Sequence, residues 1–297
     1  MTLVITLAVM VAAGLLAWPV YRYWSAAMMA PGIERASIRD EVHRHPGLAA
    51  AVTRRLDPRT LTGLGLTTAA ALVVVGGTSI GLILVMIRNH VGFADFDLSA
   101  ARFAARHANP TATQALRDIS QFGGAVALVP LAVVVCVVAS RRHGLLTAAA
   151  FLILTVGGQF AVADLVKWIV DRTRPNIDRL TGFSGPSFPS GHATAAAACF
   201  AAFAMLFGIG RSARVQATLA AIAVGLAAGI ACTRVFLGVH WLTDVLGGLA
   251  LGWTWFAVCS IVFGGRLLHF GAPAEEVEHA VESERRRSPG RSGRAVA

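Results

Sequence analysis

The chain has 297 residues, of which 56% are hydrophobic and only 14% charged, with a formal net charge of +10 and a mean hydropathy of +0.65. These values lie outside the range of water-soluble globular domains and specify a membrane protein. The positive charge does not indicate nucleic-acid binding, because more than half of it lies in loops beside apolar spans and the arginine runs lack interleaved aromatics.

A span of the hydrocarbon core needs about 20 apolar residues. Seven stretches meet this, so the sequence predicts an all-α, polytopic membrane protein. The first runs from Leu3 to Val20, with no basic residue before it and several after. That is the reverse of a cleavable signal peptide, so residues 1–24 read as a retained transmembrane helix. Residues 25–64 mix arginine with Glu34, Asp40, Glu41 and Asp57 and fit a basic segment on the inner side, lying along the headgroups.

The second span is Gly65 to Ile87, and the segment Asn89 to Gly123 follows it. Two short amphipathic patterns occur there, Phe93, Phe96, Leu98 and Phe103, then Leu116, Ile119 and Phe122. They predict interfacial helices roofing the outer mouth of the bundle. The remaining spans are Gly124 to Ala139, Leu145 to Val166, Ala193 to Ile209, Val215 to Cys232, and Val245 to Phe263. Residues 266–297 form a charged tail with too little apolar content to fold alone.

Seven crossings with the N-terminus outside put the C-terminus in the cytoplasm. The basic residues agree with that orientation, 17 falling on the inner side and nine on the outer. The tight inner turns at Arg141 and Arg142 and at Arg211 and Arg214 hold no acid, and short loops carry the positive-inside signal most strongly.

Four cysteines, Cys136, Cys199, Cys232 and Cys259, lie in or at the ends of apolar spans without metal-type spacing and read as small buried hydrophobes. Gly225 with Gly229, and Gly248 with Gly252, form small-residue seams for close helix packing.

The chemistry is concentrated in three islands, all on the predicted outer side. Lys167 to Pro175 reads KWIVDRTRP, Pro189 to His192 reads PSGH, and Arg234 to Asp244 reads RVFLGVHWLTD. Lys167 is the only lysine among 26 basic residues, a compact charge where every other cation is a planar arginine fork. Lys167, Arg174 and Arg234 suit a dianionic phosphoryl group, since arginine matches phosphate oxygens two at a time. Ser190 and Gly191 precede an alanine-rich helix whose free N–H groups make an anion site. His240 and Asp244 are four residues apart, a spacing at which a carboxylate on a shared helix face holds one imidazole nitrogen. The other nitrogen is then free to attack, with His192 as general acid. Around them, Asp164 lies one turn before Lys167, Arg172 offers a further contact to phosphate or faces water, and Thr233 precedes Arg234.

At these residues the chain resembles the phosphatidic acid phosphatase type 2 (PAP2) superfamily, whose signatures are K-x6-R-P, P-S-G-H and S-R-x5-H-x3-D. The resemblance spans about Gly65 to Phe263 and implies a six-helix catalytic core, residues 65–265, with the first helix as an addition. It implies metal-independent hydrolysis of a lipid phosphomonoester or diphosphate at the outer membrane face, with no cofactor. Phosphatidic acid, phosphatidylglycerophosphate and polyprenyl diphosphates are candidate substrates. Carried over, His240 is the nucleophile, Asp244 its orienting partner and His192 the acid, while Lys167, Arg174, Ser190, Gly191 and Arg234 bind phosphate. Thr233 departs from the signature serine. The same residues also fit a phosphotransferase that passes the phosphohistidine to an alcohol, or a non-catalytic lipid-phosphate binder or transporter.

Overall fold

The structure is a computed structural model that describes residues 1–29 and 61–267, with side chains described for 1–22 and 71–263. Most of the inner basic segment and of the charged tail therefore lies outside the described residues. Among those described every regular element is a helix, seven of them long and apolar enough to cross a membrane, and residues 171–190 form a long loop. All seven coincide with the spans expected from sequence.

The spans are α1 (Thr2–Met29), α2 (Leu61–Asn89), α5 (Ala125–His143), α6 (Leu145–Val170), α7 (Gly191–Gly208), α8 (Ala213–Phe236) and α9 (Leu242–Leu267). Two shorter helices, α3 (Asp95–Arg106) and α4 (Pro110–Gln121), connect α2 to α5. They are the amphipathic pair expected there. Asn109 caps α4 by accepting from the Ala112 N–H at 2.9 Å, with Pro110 at the first helical position.

Helix α7 is the most enclosed span and packs against both α8 and α9. Lipid supplies no hydrophobic drive for helices to associate, so tight packing of small residues has to supply the attraction. Ala193, Ala195, Ala196, Ala197 and Ala198 are fully buried on α7. Opposite them, a Cβ on Gly252 would lie 2.3 Å from the Thr194 carbonyl oxygen, and one on Gly248 would lie 2.7 Å from that of Ser190. The second seam has a different partner. Gly225 and Gly229 of α8 face Met10 of α1, where a Cβ on Gly225 would sit 2.7 Å from the Met10 carbonyl oxygen. Helix α1 runs antiparallel to α8, with Thr6 beside Cys232 at one end and the Trp18 indole N–H donating to Thr218 Oγ1 at the other.

Helix α6 contains one π turn, Ile153–Gly157. The Trp255 indole N–H donates to the Leu154 carbonyl in this turn at 3.1 Å, beside the Gly158 N–H that the same oxygen accepts.

Candidate active site

The three islands meet at one end of the bundle because each stands where a span begins or ends. Lys167 is in the last turn of α6, Ser190 and Gly191 open α7, Arg234 closes α8, and Asp244 lies in the first turn of α9. The turn between α8 and α9 is set by Gly238, at φ +70°, where a side chain would strike the Asp178 carbonyl oxygen at 2.6 Å. Only glycine fits this approach, which fixes His240 two residues later.

An open cavity of about 410 Å³ occupies this end of the bundle. Lys167, Arg174, Gly191, His192, Arg234 and His240 all line it, together with Gly123, Gly124, Phe160 and the loop Gly182, Phe183 and Ser184. Three cations and two imidazoles thus surround one space. Ser190 is fully buried beside it with an unpartnered Oγ. Lys167 Nζ reaches the start of α7, 3.5 Å from where a Gly191 Cβ would stand. Asp164 Oδ1 accepts from Lys167 Nζ at 2.9 Å, although the Asp164 side chain itself is largely exposed.

Arg174 has five N–H donors and uses all of them. Nε donates to the Gly185 carbonyl, Nη2 to those of Ser184 and Pro186, and Nη1 to that of Val239 and to His240 Nε2 at 3.1 Å. Burial lowers its pKa, with Asp244 opposing. A guanidinium can only donate, so His240 Nε2 is the acceptor and carries the lone pair. The ring proton is then on Nδ1, which faces Asp244 Oδ2 at 3.5 Å. That separation is electrostatic contact, longer than a hydrogen bond, and Nδ1 makes no other one. Burial pushes His240 down to about 4, with Asp244 acting in the opposite sense and Arg174 and Arg234 adding to the fall.

Asp244 is fully buried and heavily engaged. Oδ2 accepts from Ser187 Oγ and from the Trp241 N–H at 2.8 Å, and Oδ1 accepts from Arg172 Nη1 at 2.6 Å. The bond to Trp241 is one half of a capping box at the start of α9. Arg172 is not among the residues lining the cavity. It binds Asp244, Thr243 Oγ1 at 2.7 Å and Asp97 Oδ2 at 2.7 Å. The Thr233 hydroxyl donates at 2.6 Å to the Ile230 carbonyl one turn back, so it is engaged by its own helix.

Four residues that sequence reasoning missed belong to this network: Asp97, Ser120, Ser187 and Thr243. Ser120 Oγ accepts from Arg234 Nη1 at 2.7 Å, while Arg234 Nε is buried without a partner. A faint signal existed for two of them. Asp97 shares a helix face with Ala101 and Ala104, and Ser120 follows Leu116 by one turn, so both polar residues lie on the buried stripes of their helices.

A PAP2 superfamily model matches residues 146–267. Lipid A 1-phosphatase of Rhizobium etli is 38% identical over 127 residues, covering 39% of this chain and 50% of that protein. Phosphatidylglycerophosphatase B of Bacillus subtilis is 30% identical over 170 residues, 55% of this chain and 80% of that protein. The chain belongs to the PAP2 superfamily. A solved PAP2 structure agrees. The transmembrane PAP2 type phosphatidylglycerolphosphate phosphatase from Bacillus subtilis superposes with a TM-score of 0.60 at 25% identity, over 67% of this chain and 98% of that one. Against the lipid A 1-phosphatases the chain spans about half of their length. The matched PAP2 stretch holds every residue of the three islands, whereas Asp97 and Ser120 precede it.

Proposed function

We propose that this protein hydrolyses a lipid phosphomonoester or diphosphate on the outer face of the membrane through a phosphohistidine at His240. The observation that carries the reading is one cavity lined by two histidines and three cations, with His240 Nε2 turned toward a cation and its Nδ1 toward a buried carboxylate.

The incoming phosphate takes over the cations. Its oxygens draw on Lys167, Arg174 and Arg234 and on free N–H groups at the start of α7, and Arg174 Nη1 turns from Nε2 to a phosphate oxygen. The Nε2 lone pair then forms a bond to phosphorus as the phosphorus–oxygen ester bond breaks. His192 gives its proton to the departing lipid oxygen. Asp244 offsets the positive charge that the imidazole gains, through the Nδ1 proton it faces. Water next attacks the phosphohistidine while His192 takes its proton, which restores both histidines and frees inorganic phosphate.

The outer placement rests on charge. Arg141, Arg142, Arg211 and Arg214 stand in the short turns at the end of the bundle opposite the cavity, as the positive-inside bias requires if the cavity faces outward. The names of the relatives point to a phosphorylated lipid as the substrate class. Cations rather than clustered carboxylates surround the cavity, so the reaction needs no divalent ion.

Purified protein in detergent, given phosphatidic acid, phosphatidylglycerophosphate and undecaprenyl diphosphate in turn, is expected to release phosphate from at least one, with or without EDTA. His240→Ala is expected to release none. Release by that variant at the parental rate rejects the phosphohistidine, and absence of release from all three by the parent rejects the phosphatase.

A further inference from the structure

Asp97 is a carboxylate on α3, outside the stretch matched by the family, yet its side chain is only 5% exposed and fully used. Oδ1 accepts from the Thr243 N–H at 2.9 Å, and Oδ2 accepts from Thr243 Oγ1 at 2.6 Å and from Arg172 Nη2 at 2.7 Å. The other end of the Arg172 guanidinium donates to Asp244 Oδ1 at 2.6 Å. A chain of alternating charge, Asp97 to Arg172 to Asp244, therefore ends at the carboxylate that faces His240 Nδ1.

We propose that Asp97 is a positioning residue for the nucleophile: through Arg172 it fixes the Asp244 carboxylate in place beside His240, which makes α3 part of the catalytic apparatus. The inference rests on His240 being the nucleophile.

Two physical arguments support it. First, Arg172 between two carboxylates is balanced. Without Asp97 the part-buried guanidinium has Asp244 as its sole ionic partner among the described residues and draws that carboxylate toward itself, away from the imidazole. Removing one member of a buried ion pair leaves the other poorly compensated. Second, Asp97 orients the start of α9. Trp241, at the position before the helix, has no side-chain acceptor for the free N–H of Thr243, and Asp97 supplies one from a different helix. Its negative charge also lies at the positive end of the α9 dipole. Asp244 is the next residue, so both ends of the Asp97 carboxylate act on its placement.

A purely structural cap predicts a different response from a positioning residue, and Asp97→Asn separates the two. Asparagine keeps an acceptor for the Thr243 N–H and loses the ion pair with Arg172. With a lipid substrate that the parent hydrolyses, Asp97→Asn is expected to lower kcat on the order of 10- to 100-fold, as misplacement of a reacting group does, with KM changed less than about threefold. Arg172→Gln is expected to cause a similar loss, and the double variant to lose little more, because residues acting through one contact are not additive.

Orthovanadate supplies a reading without any substrate, since it accepts a bond from a histidine nitrogen. Its affinity, measured by titration calorimetry, is expected to fall about tenfold or more in Asp97→Asn, the signature of a reacting nitrogen moved from its place. Parental kcat and vanadate affinity in Asp97→Asn overturn the inference and leave the phosphatase standing. Losses that multiply in the double variant overturn it too. A parent that cleaves no lipid phosphate, with vanadate affinities that still separate in this way, rejects the phosphatase and keeps the inference. A parent that binds no vanadate rejects both.

Discussion

Arg174 Nη1 donates to His240 Nε2 across 3.1 Å, so the nitrogen proposed to attack phosphorus is held by a cation of the same cavity. The same contact fixes the tautomer, and in the proposed reaction it breaks as a phosphate oxygen replaces Nε2 as the acceptor. Four other donors of Arg174 bind carbonyl oxygens of Ser184, Gly185, Pro186 and Val239. The guanidinium is thus anchored on four sides and free to redirect on one.

Lys167→Arg is expected to impair catalysis although the charge is kept. Lys167 Nζ sits within 3.5 Å of the space a Gly191 Cβ would fill, and it is steadied by Asp164 at 2.9 Å. A planar guanidinium is wider than an ammonium and presents its donors in a fixed fork, so it cannot reproduce the position of a single point charge beside the start of α7. Steady-state kinetics is expected to show kcat/KM reduced about tenfold or more, as a displaced phosphate ligand demands. Full activity would mean that the only lysine in the chain is incidental.

The pH profile follows from His240. An ordinary histidine is half protonated at about 6.5, whereas burial pushes this one down to about 4. Protonation removes the attacking lone pair, so kcat/KM is expected to lose its acid limb near pH 4 instead of near 6.5. Stability has the same sign. The unfolded chain binds the proton through 6.5 while the folded one resists until about 4, so stability falls as pH drops across that window. Rate measurements between pH 3.5 and 8, with the melting temperature followed in parallel, check both.

Gly248→Ala is expected to damage the site from behind. Its new methyl would lie 2.7 Å from the Ser190 carbonyl oxygen and 3.0 Å from the Ala193 Cβ, so α7 has to move. Overpacking of this kind costs about 1–3 kcal/mol. A lower melting temperature in detergent together with reduced turnover is expected. Gly77→Ala, with nothing within 4 Å of the added methyl, is the control and is expected to match the parent.

Ser120→Ala removes the one hydrogen bond that the Arg234 side chain makes among the described residues, a buried guanidinium held from α4. The expected result is a raised KM with a smaller change in kcat, because the arginine proposed to bind phosphate is left without its anchor. An effect on kcat alone would place Ser120 with the nucleophile instead.

Hydropathy made all seven spans legible, since each crossing has to carry its own unbroken apolar run whatever packs against it. The three islands were equally legible because every site residue they hold lies within an 11-residue stretch or less, and fixed spacing at a span end survives without knowledge of the partner helix. Tertiary structure decided the rest. Arg172 binds Asp244 instead of lining the cavity, and its other partner, Asp97, is 75 residues away in sequence. Ser120 and Arg234 are 114 apart, and nothing local joins them. The role of the glycines divided in the same way: their spacing marked close packing, but only the fold assigned one pair to α7 and the other to α1. Local chemistry and hydropathy are written along the chain, whereas the ion pairs of Arg172 with Asp97 and Asp244 exist only where distant segments meet.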